Sequence, residues 1–215
     1  MQPKENGQKS LRINKKKFIY LISPNKIENN HFYTELSDLF KSKKISFFQL
    51  RLKNTKMKKI FHIGKKIKKI CNKFNVKFLI NDDPILAKKL NADGCHLGQK
   101  DMNINQARKI LKNKIIGITC HNSIKLAKIA ITNNADYIAF GAFNESKTKK
   151  ARYKAKIKIL HSIKRITKIP VVAIGGINAK NYKKLILNKA NFLAISGYIW
   201  NNNKYKPSEA IKNIK

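Results

Sequence analysis

Acidic residues are scarce. The chain has 11 Asp and Glu against 48 Lys and Arg, a formal net charge of +37. Arginine is scarce too: only Arg12, Arg51, Arg108, Arg152 and Arg165 stand among the 48 basic residues. Readers of base edges favour Arg, and the lysines are spread along the whole chain without forming a block. Specific nucleic-acid recognition is therefore not expected, although weak salt-sensitive attraction to phosphate is. The abundance of Lys, Asn and Ile reads as compositional bias. No apolar run approaches the roughly 18–20 residues of a membrane span, so no membrane partner is expected. The opening MQPKENGQKSLRINKKK has no apolar core and is not a signal peptide. Residues 1–16 read as a flexible basic tail, and 17–215 as a single domain. Cysteine is limited to Cys71, Cys95 and Cys120, an odd number with no CxxC spacing. These read as buried reduced thiols of a cytoplasmic protein.

What is present is a regular alternation. Apolar runs at 18–22, 45–51, 78–80, 95–97, 115–119, 137–140, 171–174 and 192–195 predict eight strands. Between and after them, helical spacing predicts helices over 31–43, 55–74, a stretch from Pro84 through Leu90, 103–112, 122–134, 154–168, 179–188 and 207–214. Eight such units imply parallel pairing with right-handed crossovers, an α/β chain folded as a compact (β/α)8 (TIM) barrel. No G-x-G-x-x-G follows the first strand, so an open dinucleotide-binding sheet has little support. The segments Asn91-Ala92-Asp93, Asn134-Ala135-Asp136 and Lys189-Ala190-Asn191 echo one another where a helix hands over to a strand.

Four of the eleven acids, Asp82, Asp83, Asp93 and Asp101, fall within residues 77–101. In so basic a chain this window is where a cation is expected. Asp83 before Pro84 reads as a helix cap, and Asp93 as a turn residue. Asp82 and Asp101 each follow a strand. For these two, capping and Mg²⁺ binding with water and phosphate oxygens stay equally open. A barrel carries its site at the carboxyl ends of its strands. Those ends offer Gln49, Leu50, Arg51, Leu52 and Lys53; Asn81 and Asp82; Gln99 and Asp101; Thr119, Cys120 and His121; a loop over 144–150; Gly175-Gly176; and Ser196-Gly197. Arg and Lys suit phosphate oxygens, and the glycines suit a phosphate cradle. The set favours a diphosphate leaving group displaced by a second, phosphorylated substrate. His121 is a candidate base, though a lone His beside a strand end is more often structural.

From Phe18 to about Trp200 the sequence resembles thiamine phosphate synthase. The matching strings are residues 49–53 (QLRLK), 79–82 (LIND), 92–102 (ADGCHLGQKDM), 116–121 (IGITCH), Thr148-Lys149 and 173–177 (AIGGI). The resemblance implies a cytoplasmic transferase of thiamine biosynthesis. It would join a hydroxymethylpyrimidine diphosphate to a thiazole phosphate and release pyrophosphate dissociatively with Mg²⁺. It implies Asp82 and Asp101 as Mg²⁺ ligands, and Arg51, Thr119 and Lys149 as catalytic. Gln49, Leu50, Arg51, Leu52, Lys53, Asn81, Thr119 and Lys149 would contact the pyrimidine diphosphate. Ser146, Lys147, Thr148, Gly176, Ile195 and Ser196 would hold the thiazole phosphate. The family's aromatic-Pro-Thr before Thr148-Lys149 is replaced here by Asn144-Glu145-Ser146-Lys147. The rival readings are a thiazole tautomerase using His121 and a non-enzymatic basic, nucleic-acid-binding protein. The small-molecule substrates are the expected partners, and a homo-oligomer is left open.

Overall fold

Apolar strands alternate with amphipathic helices and close into a barrel in this computed structural model, which describes residues 17–145 and 152–215. The strands are β1 (Ile19–Ile22), β2 (Ile45–Leu50), β3 (Lys77–Asn81), β4 (Gly94–Leu97), β5 (Ile115–Thr119), β6 (Tyr137–Gly141), β7 (Val171–Ile174) and β8 (Phe192–Ile195). Each pairs in parallel with the next, and β1 pairs with β8. The helices are α1 (His31–Lys41), α2 (Met57–Lys73), α3 (Pro84–Lys89), α4 (Ile104–Leu111), α5 (Ile124–Thr132), α6 (Lys158–Lys164), α7 (Tyr182–Leu187), α8 (Gly197–Trp200) and α9 (Pro207–Lys212). The expected alternation holds, with one correction: α8, a single turn straight after β8, is too short to show a helical stripe. The expected 154–168 helix is also shorter. Thr167 Oγ1 accepts from the Ile169 N–H, and Pro170 cannot continue a helix.

Two buried clusters divide the strands by alternation. Phe48, Leu50, Phe78, Ile80, Leu97 and Ile195 belong to the larger one, which the helices cover. Tyr20, Phe47, Leu79, Tyr137, Val172 and Phe192 form the smaller cluster that fills the barrel. The period of two that separates these faces also turns Gln49, Asn81, His96 and Thr119 to the interior.

The repeated helix-to-strand segment proves to be a clamp used three times. Asn91, Asn134 and Lys189 take positive φ of 48°, 61° and 76° and end the preceding helix. Two residues on, a side-chain oxygen reaches back to the strand before. Asp93 accepts from the Phe78 N–H at 3.0 Å, Asp136 from the Ile116 N–H at 2.8 Å, and Asn191 from the Val171 N–H at 2.8 Å. A cation from the helix that precedes that strand, α2, α4 or α6, completes each clamp: Lys68 at 2.8 Å, Arg108 at 2.7 Å and Lys164 at 2.7 Å. Asp93 thus serves the fold, as expected of a turn residue. Burial pushes its carboxyl up, and Lys68, the Phe78 N–H and Lys77 together pull it below the usual range.

Removing one partner of such a half-buried pair leaves its cation and an N–H unmatched. Asp136→Ala is expected to cost about 2–4 kcal/mol and to lower Tm by about 5–15 °C. Asp136→Asn, which keeps an acceptor for Ile116, should lose less than half of that in a thermal melt.

Candidate active site

The carboxyl ends of the strands bring the two critical acids together. Asp82 follows β3 with φ 65°, and its N–H donates to the His96 carbonyl at 2.8 Å. Asp101 lies in the loop after β4, where its Oδ2 accepts from the Gly98 N–H at 2.6 Å. The two carboxyls act on each other. Burial, hydrogen bonding towards Asp101 and the Asp101 charge raise Asp82 from 3.8 to about 6, against the opposing pull of Arg51 and Asn81. Neither acid forms an ion pair among the described residues, and those residues contain no group of three or more His, Cys, Asp or Glu placed to hold a metal. A two-carboxylate, all-oxygen donor set with an unneutralised charge fits a hard divalent cation that takes its remaining ligands from water and phosphate. Asp83, by contrast, caps α3 as expected, accepting from the Leu86 N–H at 2.8 Å.

Arg51 is set by a residue outside the strand-end set expected from the sequence. Ser23, 2% exposed, ends the β1 segment. Its Oγ accepts from the Arg51 N–H at 2.9 Å and donates towards the Arg51 carbonyl at 3.1 Å. The Ser23 carbonyl accepts from Ser196 Oγ at 3.1 Å, and Trp200 Nε1 of α8 donates to the Ile22 carbonyl at 2.7 Å. The signal was a lone serine closing an apolar run, ISP, at the first strand end. Arg51 Nη1 reaches Asn25 Oδ1 at 3.5 Å, and Lys53 is exposed.

The other expected site residues divide by face. Gln49, Asn81 and Thr119 are at the rim on the inward face. Leu50 and Ile195 belong to the outer cluster, so only their main chain faces the barrel interior. Leu52 is half-buried against that cluster. Ser196 spends its hydroxyl on Ser23. Gly176 has φ 58°, and a Cβ there would lie 2.1 Å from the Glu145 carbonyl, so this glycine first of all lets the β6 loop pass. Ser146, Lys147, Thr148 and Lys149 lie outside the described residues. His121, at φ 51°, stacks on Tyr153 with ring centroids 4.1 Å apart.

The residue that went unread is His96. Its Nε2 meets Thr119 Oγ1 at 2.7 Å and its Nδ1 meets Tyr137 Oη at 2.8 Å. Burial lowers its ring to about 4, outweighing the effect of Asp101, which keeps it neutral at pH 7. Gln99 Nε2 donates to the Thr119 carbonyl at 2.5 Å. All three cysteines are buried and unpaired, and burial pushes the Cys120 thiol up to about 12.

A closed parallel barrel with a carboxylate pair, an anchored Arg and a His–Thr pair at its carboxyl rim defines a barrel enzyme for phosphorylated substrates. The family described as thiamine monophosphate synthase matches residues 19–199, and the chain belongs to it. A thiamine-phosphate synthase of Pelagibacter ubique is 70% identical over 208 residues, 96% of this chain and 100% of that one. One of Rhodospirillum centenum is 35% identical, covering 85% and 89%. A solved thiamine phosphate pyrophosphorylase of Pyrococcus furiosus superposes with TM-score 0.81 at 26% identity, over 93% and 94% of the two chains.

Proposed function

We propose the following chemistry for the thiamine phosphate synthase activity that the family and its full-length relatives carry. The rim binds a hydroxymethylpyrimidine diphosphate and a thiazole phosphate, and joins them to thiamine phosphate with loss of pyrophosphate. The observation that carries this reading is the meeting of Asp82 and Asp101 beside Arg51. Bound between those carboxylates, Mg²⁺ would neutralise charge on the diphosphate oxygens. Arg51, held at its main chain by Ser23, and Lys53 face the same oxygens and stabilise the charge that grows as the C–O bond breaks. Gln49, Asn81 and Thr119 orient the pyrimidine so that the departing methylene stays within reach of the thiazole nitrogen. No protein nucleophile is needed, because the bond is made by the thiazole nitrogen to an electron-poor carbon. Gly176 and Ser196 supply main chain to the second substrate. Coupled detection of pyrophosphate tests the stoichiometry: one is expected per thiamine phosphate formed, and release without joining would overturn the reading.

The carboxylate pair gives the cation a pH signature. A raised carboxyl means that the folded chain holds the proton more tightly than the unfolded one. Its contribution to stability is therefore full below 3.8 and lost as pH rises through about 6. A cation between the carboxylates offsets that loss only where they are ionised. Mg²⁺ is accordingly expected to raise Tm more at pH 8 than at pH 5. Equal shifts at both pH values would remove this pair as the metal site.

A further inference from the structure

A file of four polar side chains runs down the barrel interior beneath the rim. Thr119 Oγ1 meets His96 Nε2 at 2.7 Å, His96 Nδ1 meets Tyr137 Oη at 2.8 Å, and Tyr137 Oη meets Tyr20 Oη at 2.8 Å. The four come from β5, β4, β6 and β1. The His96 and Tyr137 rings stack at 17°, and Tyr20 stands edge-on to both. Room for this packing comes from Gly117 of β5, where a Cβ would fall 1.8 Å from Tyr137 Cζ.

Counting protons gives the file a direction. Each hydroxyl has one proton, and a neutral imidazole has one on either nitrogen. Tyr20 is the blind end: it is 2% exposed, and among the described residues its hydroxyl has only Tyr137 Oη as a hydrogen-bond partner. A buried donor without an acceptor is costlier than an unused lone pair. Tyr20 therefore donates to Tyr137, and Tyr137 donates its own proton to His96 Nδ1. The imidazole proton is then on Nε2 and goes to Thr119 Oγ1. One proton is left over, that of Thr119, and it is at the open end. The reverse order strands the Tyr20 proton in the core, and so does a doubly protonated ring.

We propose that His96 is a positioning residue, held as the Nε2–H tautomer by the Tyr20–Tyr137 pair, and that it makes the Thr119 hydroxyl a hydrogen-bond donor to the pyrimidine diphosphate. The proposal rests on the reading of Thr119 as a contact to that substrate. It selects for an acceptor lone pair opposite Thr119 and against an N–H there.

Long-range ¹H–¹⁵N correlation spectra of the full chain labelled at histidine read the tautomer directly. His96→Gln identifies the His96 signals among the five histidines. The expected result is a protonated Nε2 and a pyridine-like Nδ1 at pH 7. An Nδ1–H or a doubly protonated ring would overturn the proposal. This reading does not depend on turnover, so an inactive enzyme would count against the proposed function and leave the tautomer decided. The kinetic arm compares His96→Met, which fills the space without a donor, with His96→Gln, which restores an N–H. The Met variant is expected to lose about tenfold in kcat/KM for the pyrimidine diphosphate, with the KM for thiazole phosphate unmoved. The Gln variant should recover most of that loss. Equal losses in the two variants would count against the donor role.

Discussion

Asp101→Ala is expected to lower kcat by at least about 10²–10³-fold while the barrel stays folded. On the proposed metal assignment, removing the carboxylate takes away half of the cation's protein ligands and leaves Asp82 alone with Arg51. The structural cost is confined to the loop after β4, where the Gly98 N–H loses its acceptor, about 1 kcal/mol. Asp101→Asn separates the two effects. It keeps an oxygen for Gly98 and removes the charge that Asp82 faces, so its melt should match or exceed that of the parent while its rate should match that of the alanine variant. Near-normal turnover in either variant, measured at saturating Mg²⁺, would sink the metal assignment.

Gly117→Ala has the second large effect, and it joins fold to site. The added methyl would sit 1.8 Å from Tyr137 Cζ and 2.3 Å from two neighbouring ring atoms. The ring cannot swing clear, because Tyr137 is 1% exposed and stacked on His96. Overpacking of this kind costs about 1–3 kcal/mol or more, and any retreat of the ring breaks the hydrogen bond to His96. A lower Tm and a lower kcat/KM for the pyrimidine diphosphate are expected together. Adding Tyr137→Leu to Gly117→Ala relieves the clash without restoring the phenol. The pair should therefore regain part of the stability and none of the activity, a coupling that a double-mutant cycle reads.

The strand ends were the legible part of this chain. Their order follows from the alternation of apolar runs and helical stripes, and a barrel gathers them at one rim whatever lies between. Asp82 and Asp101 were found because carboxylates are so few that two behind neighbouring strands stand out. The interior file was not legible. Tyr20 and Tyr137 sit in continuous apolar runs, and strands buried on both faces carry no polar alternation to mark which residues turn inward. His96, between Cys95 and Leu97, read as one more strand residue, and only the parallel register across β4, β5 and β6 brings it to Thr119 and Tyr137. Ser23 was missed for a different reason. Its work is done on the main chain of Arg51, a contact between residues 28 apart that no local spacing encodes. The echo at Asp93, Asp136 and Asn191 was visible as a repeat, but its meaning needed the partner strands.

Metal-dependent joining of two phosphorylated substrates at one rim is the activity proposed for this chain. Purified protein incubated with pyrimidine diphosphate, thiazole phosphate and Mg²⁺, then read by mass spectrometry against an EDTA control, tests it most directly. Thiamine phosphate that forms with Mg²⁺ and disappears with EDTA is the expected result. A folded protein that yields no thiamine phosphate, or yields it undiminished in EDTA, would contradict the account.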